Sequence, residues 1–359
     1  MNKLSPIILN DIDEIINEKL PWEDLKDSTV LITGASGMVA GMFLYTLLGL
    51  NDRFHYNIKV LALVRNLEKA KKIFSAVLDR DDLELIVQDV SEPLKVDGKV
   101  DYIVHAASQA TPKYFQADPV GTIKANTIGT FNTLELAKEK NVKKYMFISS
   151  REIYGDPTPG QATFKENEYG YIDPTQVRSC YSEGKRAAET ICVTYKSQYG
   201  VDTKIARLSH AYGPGMALND GRVQADFAND VINNRNIVLK SDGSTVRTYT
   251  YIKDAVSALF YIMLVGEDIA YNIANEDAFV TIRDLAKTIV NIYPEKGLEL
   301  VFDIPDPSSV SWASPSKSGV LDCERLRGIG WKADVSLAEG FRRTIENYKY
   351  ELGIKEGEA

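Results

Sequence analysis

The chain has 359 residues, with 42 lysines and arginines against 50 acidic residues, a net charge of −8 and a pI near 5.2. A composition 44% hydrophobic and 26% charged supplies a buried core and excludes disorder, collagen-like repeats and low-complexity scaffolds, while the acidic balance argues against nonspecific nucleic-acid binding. The three cysteines, Cys180, Cys192 and Cys323, show neither CxxC nor His-adjacent spacing, so neither a metal site nor a disulfide framework is expected, in keeping with a reducing cytoplasm.

Residues 8–20 place apolar side chains at helical spacing up to Pro21, with acids scattered among them, which predicts a helical extension over 1–28 and not a signal peptide. The run 29–32 reads as a buried strand that breaks at Gly34, and 38–50 as a helix. The longest apolar stretch, 38–48, is shorter than the roughly 20 residues that span a bilayer, so no membrane association is expected. Strand patterns recur at 58–64, 83–87, 102–105, 145–148 and 204–207. Helix-like segments begin at Leu67 and cover 127–140 and 181–199. Alternation of this kind means βαβ units and a parallel sheet covered on both faces. After Ser209 the rhythm changes: 210–226 is punctuated by Gly and Pro, 303–318 is rich in Ser and Pro, and both read as substrate-side loops.

Thr33-Gly34-Ala35-Ser36-Gly37-Met38-Val39-Ala40 leaves the first strand and opens a helix. Glycine permits the sharp turn, and the helix N-terminus then presents free N–H groups to a pyrophosphate. The spacing is GxxGxx(A), neither the usual GxGxxG fingerprint nor a GK[ST] P-loop. An acid at the end of the second strand would hold the adenosine ribose, but Val64 is followed by Arg65, a residue type that pairs with a 2′-phosphate, so this position leans toward NADP.

Tyr181 and Lys185 lie four apart at the start of a long helix, on one face. A phenol that titrates near 10 needs about 4 kcal/mol of electrostatic help to serve as a base near pH 7. About one YxxxK is expected by chance among 19 tyrosines, and Tyr249/Lys253 also fits. That second copy lies in an extended, alternating run without a preceding serine strand, so it is read as a decoy. Tyr181 instead follows Phe147-Ile-Ser-Ser-Arg-Glu-Ile-Tyr-Gly155, which offers Ser150 to bond a substrate oxygen and Glu152 as a carboxylate beside it.

Together with Asp89-Val90, His105-Ala-Ala-Ser108, Asn126-Thr-Ile-Gly-Thr130 and Gly330-Trp331, these motifs make the chain resemble the extended short-chain dehydrogenases/reductases that act on nucleotide sugars. Within that family the likeness is greatest to UDP-glucuronate decarboxylases, through 126–130, 152–157, 178–190 and 219–223. The resemblance implies an α/β fold: a Rossmann-type doubly wound parallel sheet over 29–207, with a later contribution from about 248–270. A smaller mixed α/β substrate-binding lobe is expected from 208–247 and 271–359. It implies a catalytic set of Ser150, Glu152, Tyr181 and Lys185. The cofactor set is Gly34, Ser36, Gly37, Met38, Val39, Arg65, Asp89, Val90, Ala106, Ala107, Ser108 and Asn126, with Tyr181 and Lys185. For the sugar or its diphosphate it points to Tyr114, Arg178, His210, Arg222 and Arg247, since a guanidinium suits phosphate. The implied cofactor is NAD or NADP, with the family favouring NAD. The implied ligand is a UDP-linked sugar, and a homodimer built from two helices per subunit is expected.

This sequence also departs from the decarboxylase pattern. Arg65 replaces an Asp, Arg151 a small residue, His210 an Asn and Gly215 an Arg, and an Arg is missing around 314–318. Decarboxylation, 4,6-dehydration and 4-epimerisation share the same opening step, removal of the 4-hydroxyl proton by Tyr181. A dehydratase then needs an acid for the departing C6 hydroxyl, which Arg151 cannot be because it stays protonated; some dehydratases manage with Ser/Thr and Glu alone, so that alternative stays open. An epimerase leaves Glu152 without a task. A noncatalytic dinucleotide-sensing protein on the same fold is the reading from another class, opposed by the presence of both Tyr181 and Lys185.

Overall fold

The computed structural model describes residues 1, 3–219, 221–304 and 319–354. Of the segments singled out above, Asp220 and 305–318, including 314–318, lie outside the described residues.

Helix α1 (Pro6–Ile16) begins where Ser5 caps the Ile8 N–H and proline takes the first turn, and it ends at Asn17. The apolar run had predicted a helix up to Pro21. The chain instead turns after Asn17, with the Trp22 indole N–H donating to the Glu18 carbonyl at 3.1 Å and a short 3₁₀ turn over Trp22–Leu25. Strand β1 (Thr29–Thr33) then runs into α2 (Met38–Phe54), followed by β2 (Lys59–Val64), α3 (Leu67–Ile73), β3 (Leu83–Val87) and β4 (Tyr102–His105). Next come α4 (Pro112–Ala117), α5 (Pro119–Lys140), β5 (Lys144–Ser150), β6 (Thr163–Phe164), α6 (Ser179–Tyr199) and β7 (Thr203–Leu208).

The stretch read as loop from 210 to 226 contains β8 (His210–Tyr212) and the start of α7 (Val223–Ile232). It is followed by β9 (Ile237–Leu239), β10 (Val246–Tyr251), α8 (Ile252–Val265), β11 (Ala270–Ile273), β12 (Phe279–Thr281) and α9 (Ile282–Val290). β13 (Leu300–Phe302), β14 (Val320–Leu321), α10 (Glu324–Gly328) and α11 (Leu337–Glu351) complete the described elements.

Seven parallel strands form the main sheet in the order β11-β7-β5-β4-β1-β2-β3. Alternation along each strand sends side chains to two cores. Val30, Ile32, Val60 and Ala62 join the cluster that contains α2 and α8, whereas Leu31, Leu61 and Leu63 join the one that contains α5 and α6. Both faces are therefore covered, and the strands read as continuous apolar runs. The strand order reverses between β1 and β4, whose registers pair Thr33 with His105, and that crevice at the carboxyl ends is where such sheets bind ligands. Smaller sheets, β8-β10-β12, β9-β13 and β6-β14, lie outside the main sheet. The Tyr249/Lys253 pair is split between β10 and the first turn of α8, so its two residues do not share a helix.

Candidate active site

The glycine turn follows from steric need. Gly34 has φ of 64°, and a Cβ there would sit 2.7 Å from the Ala107 Cα, so only glycine lets the β1–α2 turn meet the β4 end. Gly37 caps α2 without any side-chain hydrogen bond, which leaves the first N–H groups of the helix, at Met38 and Val39, for a ligand. Ser36 lies between the two glycines. The Ala107 N–H donates to Thr33 Oγ1 at 3.2 Å, and Thr33 Oγ1 meets His105 Nδ1 at 2.7 Å, so the two strand ends are tied together. Burial, with Lys185 beyond it, pulls His105 down to about 3, so its ring is neutral.

Among the described residues, Ser108 Oγ, Asn126 Oδ1 and His105 Nε2 are buried without a hydrogen-bond partner. Buried polar atoms of this kind are costly unless a ligand or water meets them, and a hydroxyl and an amide oxygen match a dinucleotide's ribose and amide groups. The residues present therefore fit a nicotinamide dinucleotide. Val90 is buried against Gly129, and its carbonyl accepts from Asn132 at 2.8 Å. Arg65 is exposed, with Nη1 3.9 Å from Asp89 Oδ2.

Tyr181 is 6% exposed and stacks on Phe115, with ring centroids 4.7 Å apart. Burial pushes its phenol up to about 12; Ser150 bonds it and Arg222 attracts its charge, while Glu152 opposes ionisation. The Lys185 ammonium donates to the Ile148 carbonyl at 2.6 Å and lies 5.9 Å from the Tyr181 ring centroid. Burial pulls Lys185 down to about 7 against the pull of Glu189 and Cys192. Ser150 ends β5 and caps the 3₁₀ turn over Arg151–Tyr154, accepting from the Glu152 N–H at 3.2 Å.

Glu152 holds Arg151 Nη1 at 3.4 Å on one oxygen and Arg178 Nη1 at 3.1 Å on the other. Burial alone would raise its carboxyl, but Arg151 and Arg178 outweigh that and hold it below the usual range, as a carboxylate. His210 starts β8, in register with Tyr249 of β10. Burial, then Arg151 and Arg247, pull it down to about 3, so it too is neutral. Arg247 lies two residues before Tyr249 and donates to the Val246 carbonyl at 2.9 Å, and Arg222 is the N-cap of α7. Tyr114 sits on α4, 42% exposed.

The structure thus brings Ser150, Glu152, Tyr181, Arg178, His210, Arg222 and Arg247 into one electrostatically coupled group, with Lys185 beside the Tyr181 ring. Two residues that touch this group, Phe115 through Tyr181 and Glu189 through Lys185, were not singled out from the sequence. Phe115 has no spacing signal. Glu189 lies four residues after Lys185 on the same helical face, a legible pattern; it accepts from Ser149 at 2.5 Å and from Arg207 at 2.7 Å.

A parallel sheet with a glycine turn at the reversal of strand order, and a buried Tyr–Lys pair beside a serine, define a Rossmann-type dinucleotide-binding protein of the short-chain dehydrogenase/reductase class. The model of the NAD dependent epimerase/dehydratase family matches residues 30–274, and the chain belongs to that family. It is 33% identical over 326 residues to UDP-glucuronic acid decarboxylase 6 of Arabidopsis thaliana, covering 90% of each chain. It is 32% identical to UDP-glucuronic acid decarboxylase 1 of Xenopus tropicalis, over 90% of this chain and 72% of that protein. Among solved structures, UDP-glucose 4-epimerase of Thermotoga maritima shares its fold with a TM-score of 0.74 at 22% identity, over 90% of this chain and 99% of that one. A dTDP-glucose 4,6-dehydratase of Bacillus anthracis does so with a TM-score of 0.72 at 18% identity, over 92% and 100%.

Proposed function

We propose that the chain decarboxylates a UDP-linked uronic acid, UDP-glucuronate, through transient oxidation at C4. The observation that carries this reading is an ionised Glu152 held between Arg151 and Arg178 beside the Ser150–Tyr181 pair. The relatives named as UDP-glucuronic acid decarboxylases support it.

Gly34, Ser36, Gly37, Met38, Val39, Asp89, Val90, Ala106, Ala107, Ser108, Asn126 and Lys185 would hold the dinucleotide. When bound, it supplies the removal and return of hydride at C4. Tyr181 takes the proton of the 4-hydroxyl, and Ser150 keeps the phenol and that oxygen aligned. Lys185, next to the phenol on the same helix face, favours its ionised form when charged. A carboxylate β to a C4 ketone loses CO2 as its bonding pair enters the C5–C4–O4 enolate. C5 then takes a proton. Glu152, being ionised, serves that step by orienting a water and not as the acid itself. Arg178, Arg222 and Arg247, with His210 and Tyr114, take the diphosphate and sugar. His210, Arg222 and Arg247 belong to the segment 208–247, which with 271–359 we assign to the substrate lobe, whereas Tyr114 and Arg178 come from the dinucleotide-binding part.

Arg65 lies against Asp89, and Asp118 also feels it, so a 2′-phosphate would compete with a carboxylate for that guanidinium. We therefore favour NAD over NADP. A cytoplasmic homodimer formed through α5 and α6 completes the reading.

Incubation of the purified protein with NAD and UDP-glucuronate tests it. Release of CO2 with formation of a UDP-pentose is expected; the absence of both overturns the decarboxylase assignment.

A further inference from the structure

Arg151 is the most buried arginine of the site. Its side chain is 9% exposed, whereas that of Arg178 is 53% exposed and sits at the rim. Among the described residues its guanidinium makes one hydrogen bond, to Glu152 Oε1 at 3.4 Å, although such a group carries five N–H donors. Glu152 cannot balance it alone, because the other carboxylate oxygen serves Arg178 at 3.1 Å. His210, the neighbouring ring, is neutral and supplies no negative charge. Arg247 adds another positive field to the same group: it and Arg151 both act on His210, and its own ionisation is opposed by Arg151. A buried guanidinium with donors to spare and a shared counter-ion is a costly arrangement until an anion joins it.

The position of Arg151 says which part of a ligand that anion belongs to. Arg151 Nη1 lies 3.4 Å from Glu152, and Glu152 acts on the Tyr181 phenol that Ser150 bonds, so the guanidinium borders the place where O4 of the sugar meets its base. Diphosphate oxygens lie on the far side of the sugar ring from O4, toward C1. The substituent next to C4 that can carry a negative charge is the one on C5.

We propose that Arg151 is the specificity-determining residue of this site, its guanidinium receiving the C6 carboxylate of a uronic acid and so selecting that sugar over its neutral hexose counterpart. This rests on the reading of the site as one that oxidises C4 of a UDP-sugar. A neutral sugar leaves the buried guanidinium uncompensated, and a site built around a polar contact rejects the analogue that lacks it. The neutral Nδ1 of His210, buried without a partner, is a further polar atom facing the same cluster.

The test compares binding of UDP-glucuronate, UDP-glucose and UDP to the NAD-loaded full-length protein by calorimetry, with wild type, Arg151→Gln and Arg151→Lys. Wild type should bind UDP-glucuronate about 10- to 100-fold more tightly than UDP-glucose. Arg151→Gln should lose most of that preference while UDP binding stays within about twofold, and Arg151→Lys should keep part of it. Equal affinity of wild type for the two sugars overturns the proposal without requiring any variant to fold. So does a preference untouched in Arg151→Gln, or an equal loss for all three ligands. The two readings fail separately. If the preference depends on Arg151 but no CO2 is released, the decarboxylase assignment falls and the selection of a carboxylate stands. If CO2 is released and the preference ignores Arg151, the reverse holds.

Discussion

Chemistry at this site depends on two side chains whose surroundings work against their ordinary charges. Tyr181 is pushed up to about 12, mainly by burial, and Lys185 is pulled down to about 7 by the same cause. The ammonium spends a short hydrogen bond on the Ile148 carbonyl and does not reach the phenol oxygen within the described contacts. The barrier that Tyr181 must overcome is thus larger than its unperturbed value suggests. The means available are the Ser150 hydrogen bond, the Arg222 charge and the positive charge that a bound nicotinamide brings. Tyr181→Phe should therefore lower kcat for UDP-glucuronate by about 10²- to 10⁴-fold. The stacked Phe115 contact survives in that variant, so KM should change little; steady-state assays of CO2 release measure both. The Tyr–Lys spacing and the serine strand were legible in the sequence, being local. The stacking of Phe115 on Tyr181 was not, because it depends on where the loop after β4 returns to α6.

At the scale of elements, α1 is not a loose extension. Asp11 accepts from the Tyr251 hydroxyl at 2.7 Å and from Arg343 at 2.8 Å, and Glu14 accepts from Arg343 at 2.8 Å, which fastens α1 to β10 and α11. Burial pushes Asp11 from 3.8 up to about 6, against Tyr251 and Arg343, which favour its ionised form. Between those values the folded chain keeps a proton that the unfolded chain has lost, so the contribution of Asp11 to stability falls as pH rises through that window. The neutral His105 and His210 act in the opposite direction, since the unfolded chain binds their protons first below 6.5. The clean observable is consequently a difference. The stability of wild type relative to Asp11→Asn should fall by up to about 1.4 kcal/mol for each pH unit across the window, as measured by urea denaturation. A flat difference would mean that Asp11 is ionised throughout. The apolar periodicity of 8–20 announced this helix but placed its end at Pro21. Its end at Ile16 follows from the way the chain turns to pack Trp22 against Phe260, ring centroids 5.0 Å apart.

For the molecule as a whole, the helices that carry Asn126 and Tyr181 also present an apolar outer surface. Val120, Ile123 and Phe131 lie on one side of α5 and are exposed, as are Val193 and Tyr199 on α6, and Phe131 meets the Tyr195 ring edge-on at 6.2 Å. Our homodimer proposal covers this surface with its equivalent in a second copy. Phe131→Asp should then shift the mass in light scattering to that of one 40.0 kDa chain, and an unchanged mass would remove α5 from the interface. The sequence by itself determined the alternation of strands and helices, the glycine turn, and the Tyr181/Lys185 pair. Each of these is written in spacings of two to four residues, and local physics suffices to read them. Only the tertiary structure decided which charges meet. Arg151 and His210 are 59 positions apart in number but electrostatically coupled, since parallel pairing sets β5 beside β7 and the chain then passes directly into β8. Glu189 reaches Ser149 because α6 packs across β5. The charge state of a buried side chain is set by whatever surrounds it in space, and residues distant along the chain become its neighbours only once the sheet has closed its order.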